Sequence, residues 1–203
     1  MLIKSKYKVA RRVGAPIFEK TQTQKFALRE SRRGQRVRKH PSQKTDYGLQ
    51  MLEKQKARYT YLMSERQFSN YVEKAIAMKD TKSTDALFAL LETRLDNVVY
   101  RMGLASTRLF AKQMVNHGHI TVNGKRVDIP SYAVSLNDKI GIVSGSMKKK
   151  LFVGLDEKLK TFTTPAWIKF DPTKKEGTIQ GSPKADAMPL LFDLNAILEF
   201  YSR

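Results

Sequence analysis

The dipeptide Asn123-Gly124 is the tightest constraint in this 203-residue sequence. It separates His119-Ile120-Thr121-Val122 from Lys125-Arg126-Val127-Asp128-Ile129, two short runs that alternate in polarity. A two-residue hairpin of type I′ needs positive φ at both turn positions, which Asn and Gly tolerate and most residues do not. Residues 119–129 are therefore expected to form an antiparallel hairpin. The segment before it reads as helical. Arg94 to Met102 forms a short helix stopped by Gly103, and Ser106 or Thr107 caps a second helix that ends near Asn116 and Gly118. A further short strand is expected at Lys139 to Val143. Two helices feeding a small basic sheet make a compact α+β module.

The second helix is two-faced. At about 100° per residue, Arg108, Lys112, Gln113 and Asn116 share one arc, while Phe110, Ala111, Met114 and Val115 share the opposite one. The hairpin tip sets Lys125 and Arg126 beside the end of this helix, and Asn116 and His117 stand at the helix-to-strand corner. The result is a run of hydrogen-bond donors suited to phosphates and 2′-hydroxyls. Each residue alone fits a solvated surface equally well. The constellation as a whole favours RNA.

Charge agrees with that reading without proving it. The formal net charge is +19, so the surface attracts polyanions, with nucleic acid and anionic membrane as the two obvious classes. No apolar run is long enough for a transmembrane helix, and the start of the chain lacks the apolar core of a secretory signal, so no membrane partner is expected. Cysteine is absent, which excludes disulfides, thiolate zinc sites and cysteine nucleophiles. No catalytic residue, metal or cofactor is expected. The charge is concentrated at one end: residues 1–44 hold 14 Lys or Arg against two acids, Glu19 and Glu30. Arg29, Arg32, Arg33, Arg36, Arg38 and Lys39 form its densest part, interrupted by Gly34 and Pro41. Such a stretch buries little apolar surface and repels itself, so residues 29–44 are expected to be largely disordered alone and to order against an anion. Residues 1–45, with Arg11 and Arg12, are read as an RNA-docking arm.

Residues 46–93 read as a helical domain. Ser64 and Gln67 form a capping box, followed by Phe68, Tyr71, Val72, Ala75 and Ile76 at the spacing of one buried face. Leu52, Gln55, Lys56, Tyr59 and Leu62 suggest a helix upstream, basic on its outer side. Ser83 or Thr84 can cap a third, whose apolar face runs through Leu87, Leu90 and Leu91. Towards the end, residues 166–170 and 177–180 read as short strands, Trp167 as a packing residue, and Asp193 as the cap of a final helix carrying Leu194, Ile197, Leu198 and Tyr201.

The run Leu90-Leu91-Glu92-Thr93-Arg94-Leu95-Asp96-Asn97-Val98-Val99-Tyr100-Arg101-Met102-Gly103 resembles the signature of bacterial small-subunit ribosomal protein number four. It is similar to the opening of the RNA-binding S-four domain named after that family. Val122-Asn123-Gly124 and Ile129-Pro130-Ser131-Tyr132 fit the same domain. Asp46-Tyr47-Gly48-Leu49-Gln50, Glu65-Arg66-Gln67-Phe68, Ala166-Trp167-Ile168, Glu176-Gly177-Thr178 and Glu199-Phe200-Tyr201-Ser202-Arg203 resemble the family's flanking parts, in the family's order. The resemblance implies an S-four domain at 94–160, inserted between the helical domain and a segment at 161–203 whose strands and helix pack back on that domain. It implies a primary binder of small-subunit ribosomal RNA that holds a multi-helix junction of the 5′ domain, nucleates assembly and contributes to accuracy near the messenger entry channel. Its other partners would be messenger RNA and ribosomal protein number five, met through the first domain and C-terminal region. No homo-oligomer is expected, and the location is cytoplasmic. By position, Arg94, Arg101, Arg108, Lys112, Gln113, His117, Lys125 and Arg126 would face RNA, with Lys54, Lys56, Arg66, Thr107 and Asn116 as further candidates. Asp96 would be structural.

Two departures stand out. Many family members carry Gly-x-His-Gly where this chain reads Gly34-Gln35-Arg36-Val37, and the four-cysteine zinc knuckle of some members is impossible here. Pseudouridine synthases also carry the module, and Arg94-Leu95-Asp96 superficially matches their catalytic motif. The residues that flank that motif are missing, and no large catalytic domain follows. No phosphate-binding loop of the G-x-x-x-x-G-K-[ST] type occurs. A free-standing RNA-binding factor would need only the module, and the matching flanks argue against it.

Overall fold

The computed structural model describes residues 3, 5–35, 44–147, 149–155, 157, 159 and 162–202. The chain divides into two compact units, Met1–Leu87 with Met188–Arg203, and Phe88–Ala187. The class is α+β.

The first unit is helical. α1 (Lys6–Val13) and α2 (Gln24–Gln35) lie within the basic arm, linked by a 3-10 turn at Glu19–Thr21. The expectation of disorder from residue 29 onward is corrected for residues 29–35, which continue α2. Long-range anchors explain the order. The rings of Tyr7 and Phe26 meet at 5.8 Å, and Arg11 Nε donates to Glu30 Oε1 at 2.8 Å. Between the helices, Ile17, Phe18 and Thr21 are buried beside Ala10 and Val13. Arg36, Arg38 and Lys39 lie outside the described residues.

α3 (Asp46–Thr60) is capped by Thr45, and α4 (Glu65–Ala77) by Ser64, whose hydroxyl accepts from the Gln67 amide at 3.3 Å. Phe68, Val72 and Ala75 are buried as expected, but Ile76 is 44% exposed, at the edge of the stripe. Leu62 is not part of α3: it lies past the helix end with φ of 52° and is buried in the turn. α5 (Ser83–Glu92) carries the chain from the first unit to the second.

The second unit opens with α6 (Leu95–Arg101) and α7 (Arg108–Asn116). Its sheet comprises β1 (Ile120–Val122), β2 (Lys125–Val127), β3 (Lys139–Ile142), β4 (Ile168–Asp171) and β5 (Glu176–Ile179). The strand order is β2-β1-β3-β5-β4, antiparallel throughout. Asn123 and Gly124 have φ of 51° and 77°, the pair of positive values that the hairpin requires. The buried face of α7, with Ala111, Met114 and Val115, packs with Leu95, Val98 and Met102 of this unit and with Ile120, Ile140, Trp167 and Ile179 into one core. A short helix α8 (Ser144–Met147) and a 3-10 turn at Lys150–Phe152 follow β3.

The C-terminal segment departs from expectation. Its two strands do not join the helical domain. β5 pairs with β3, Lys139 opposite Thr178 and Ile140 opposite Gly177, so β4 and β5 extend the inserted sheet. Pairing β3 satisfies backbone groups that an edge strand would leave open. The end of the segment, from Met188, belongs to the helical unit instead, and its helix α9 (Leu194–Tyr201) packs against α3 and α4. Tyr47 meets Phe200 at 5.4 Å and Phe68 meets Tyr201 at 6.2 Å. Gln50 Nε2 donates to Glu199, and the Tyr201 hydroxyl donates to Glu65 Oε1 at 3.0 Å. Burial acts to raise the Glu65 carboxyl, but Lys54, Tyr201 and Arg58 outweigh it and hold the group below its usual value. Burial, and then the Glu65 partner, push the Tyr201 hydroxyl well above the usual phenol range.

Candidate nucleic-acid interface

Several of the expected RNA contacts are tied into the protein itself. Arg94 is 1% exposed, and its guanidinium grips Asp96 through Nε–Oδ1 at 3.0 Å and Nη2–Oδ2 at 2.6 Å. It faces the interior, which corrects the expectation that it faces RNA. The physical reason is a segment distant in sequence: the 130–134 loop closes over this corner, with Ala133 bridged to Arg94. The amides of Leu95 and Asp96 donate to the carbonyls of Tyr132 and Pro130, so α6 starts without a side-chain cap. Asp96 is structural, as expected.

Arg101 is a second clasp. It forms a fork onto Glu92, 2.7 and 2.9 Å, and Glu92 is fully buried. Glu92 Oε2 also accepts from Asn97 Nδ2 at 2.8 Å, and Asn97 Oδ1 accepts from Arg108 Nε at 2.9 Å. The Arg108 guanidinium lies 4.5 Å from the centre of the Tyr100 ring. Arg108 thus reaches the surface of α7 along a chain of partners that begins at a buried carboxylate.

Lys54 is largely buried, 2.8 Å from Glu65 and 4.3 Å from the centre of the Phe200 ring. Lys56 pairs with Glu53 one turn away. Thr107 serves as the cap of α7, accepting from the Phe110 amide at 3.1 Å. These residues hold the fold, and Lys54 is excluded as a surface donor by its burial.

The exposed donors fall into two sets, one in each unit. In the first unit, Arg12, Arg29, Arg32 and Arg66 are exposed, while Arg11 is exposed but paired with Glu30. In the second unit, Gln113, Asn116 and His117 are exposed at the end of α7, Lys112 is half-buried, and Lys125 and Arg126 are exposed on the hairpin. The hairpin and the helix end are joined directly: Arg126 Nη2 donates to the His117 carbonyl at 3.4 Å. Its guanidinium lies over Gly118, where φ is 64° and a Cβ would collide with it. The positive φ is what favours glycine there, since the exposed end of the Arg126 side chain can shift.

Behind this corner stands His119. Its Nδ1 shares a 2.9 Å hydrogen bond with Ser146, and its ring meets Phe152 edge-on at 6.3 Å. Burial, and then the electrostatic influence of Lys149, His117 and Arg126, hold its imidazole below the usual histidine value. Neither His119 nor Lys149 was among the expected RNA contacts. The lysine run 148–150, close after the strand expected at Lys139 to Val143, is the signal in the sequence that points to this spot. Among the described residues, no three or more His, Asp or Glu side chains come together as a metal site would need, and no helix is long and apolar enough to cross a membrane.

Comparison with known proteins matches both parts of the chain. Residues 1–92 match the family described as ribosomal protein S4/S9 N-terminal domain, and residues 93–140 match the S4 domain. A small ribosomal subunit protein uS4 from Herpetosiphon aurantiacus is 41% identical, over 97% of this chain and 96% of its own. The protein of the same description from Roseiflexus sp. is 42% identical over the same shares. That from Enterococcus faecalis is 41% identical over 97% of this chain and 95% of its own.

Proposed function

The chain belongs to the uS4 family of small ribosomal subunit proteins, and from that premise we propose that it is built into the small subunit as a primary binder of its ribosomal RNA. It is a structural constituent of a ribonucleoprotein in the cytoplasm and not an enzyme. The observation that carries the RNA reading is the corner where the end of α7 meets the hairpin, with Gln113, Asn116, His117, Lys125 and Arg126 all exposed and Arg126 bonded to the His117 carbonyl. Donors on a preformed helix end and a hairpin tip fit the phosphates and 2′-hydroxyls of folded RNA. Arg12, Arg29, Arg32 and Arg66 supply further exposed cations on the helical unit.

The finer role follows the family resemblance. The protein organises a multi-helix junction of the 5′ domain, nucleates subunit assembly, and supports decoding accuracy beside the messenger entry channel. Its protein neighbour is ribosomal protein number five, met through the helical unit and its C-terminal helix. The apolar side chains of Tyr47 and Met51, one turn apart at the start of α3 and 49% and 40% exposed, support a protein partner there.

The test is sedimentation and footprinting. The protein is expected to travel with the small subunit through a gradient and to protect a junction in the 5′ domain of its RNA. Failure to associate, or protection confined to another domain, would overturn the assignment.

A further inference from the structure

A small pocket of about 150 Å³ opens beside the α7–hairpin corner, lined by Phe110, Gln113, Met114, His117, His119 and Leu151. Pockets for small-molecule ligands run about 300–1,000 Å³, so this one admits a single ring system. We propose that it receives one unstacked nucleobase of the bound RNA, held against the aromatic lining with its edge read by the Gln113 amide. The inference rests on the RNA-binding reading and deepens it, by naming a base-specific subsite within a surface otherwise made of phosphate contacts.

Four observations carry it. The first is spacing: Phe110, Gln113, Met114 and His117 follow one another at helical i, i+3, i+4 and i+7 intervals, so a single face of α7 builds the wall. The second is chemistry. Single-stranded bases are taken up by stacking on aromatic and imidazole rings and by hydrogen bonds to their edges. The wall offers rings from Phe110 and His117 and one amide able both to donate and to accept. The rings of His117 and His119 lie 6.1 Å apart with planes within 12°, so the two imidazoles present aligned faces.

The third is rigidity. Met114 is 1% exposed in the core, and His119 is fixed by Ser146 and by Phe152. The floor is therefore formed before RNA arrives, and little ordering is needed on binding. Its imidazole is favoured in the neutral form, so a base packed against it meets no buried charge. The fourth is position. Arg126 bonds to the His117 carbonyl, and Lys149 is exposed and close enough to His119 to act on its charge. Phosphates on either side of an extruded nucleotide would meet both cations.

The experiment uses the full chain and a transcript of the small-subunit RNA 5′ domain, with base-selective chemical probing of the complex. Leu151 is 40% exposed on the pocket rim, so Leu151→Trp should fill the opening without disturbing the core. The expected result is loss of protection at one base in Leu151→Trp and in His117→Ala, with its recovery in His117→Phe. Affinity should fall about 5- to 150-fold, the range for removal of one base-stacking side chain, with the salt dependence unchanged. An unaltered urea midpoint for Leu151→Trp would show that the fold is intact. Wild-type binding with the same base protections in wild type, Leu151→Trp and His117→Ala would overturn the pocket alone. No binding by the wild-type chain would overturn the RNA reading and the pocket with it.

Discussion

Glu92 anchors the chain of partners that carries Arg108 to the surface of α7, although it contacts no solvent. It accepts from Arg101 and Asn97, and Asn97 in turn accepts from Arg108. Replacing it with alanine leaves the Arg101 guanidinium facing an apolar interior without its carboxylate. Breaking a buried pair from one side costs about 3–5 kcal/mol, and the part-exposed Arg101 reduces this to about 2–4 kcal/mol. Glu92→Ala should therefore shift the urea midpoint strongly downward, with Glu92→Gln falling between it and wild type because an amide oxygen still accepts. RNA affinity should drop in both, through Arg108, although Glu92 touches no RNA. An unchanged urea midpoint in Glu92→Ala would refute the buried clasp. The neighbouring arginine shows what single residues in a sequence do not reveal. Arg94 looks like a surface cation, and nothing local distinguishes it from Arg101 or Arg108. Its burial is decided by a loop 36–40 residues later in the chain, whose carbonyls take the amides of α6. Lys54 is hidden for a similar reason, by an aromatic pair from the final helix.

The elements legible from sequence are those whose cause is local. Asn123-Gly124 fixes the hairpin because both φ requirements sit in two adjacent residues. Thr107, Ser64 and Asp193 cap the helices they were expected to cap, since a cap acts across three residues. The elements that sequence misplaced depend on distant partners. Charge density argued against order in residues 29–35, and the Tyr7–Phe26 and Arg11–Glu30 contacts that oppose it span 19 residues each. The pairing of β5 with β3 spans about 40 residues, and no pattern within either strand specifies it. On the hairpin, the prediction concerns Lys125, which is exposed on a rigid turn. Lys125→Glu should leave far-UV circular dichroism unchanged and stability within about 0.5 kcal/mol. It should weaken RNA binding and reduce the salt slope by about 0.7–0.9 if the lysine neutralises one phosphate. Unchanged affinity and slope would remove the hairpin tip from the interface. Arg108 is a poorer probe of the same surface, because its loss also releases Asn97 and Tyr100.

For the molecule as a whole, the +19 charge and the exposed cations of both units imply binding through many phosphates at once. Neutralising about 6–10 phosphates should lower affinity about 10³- to 10⁵-fold between about 50 and 200 mM salt, measured by filter binding on 5′-domain RNA. A flat titration would contradict a phosphate-dominated interface. The split build of the helical unit has a consequence of another kind. Its last piece, α9, comes from the far side of a hundred-residue insertion. A chain made from its N-terminus at about 5–20 residues per second would wait about 6–25 s between finishing α4 and supplying the helix that covers it. During that interval Phe68, Tyr47 and Lys54 lack the aromatic rings they meet in the finished fold. The inserted unit has its whole sequence available earlier. Vectorial synthesis therefore favours a nascent chain whose S4 module is folded while its helical half stays open, and the final residues act as the closing step.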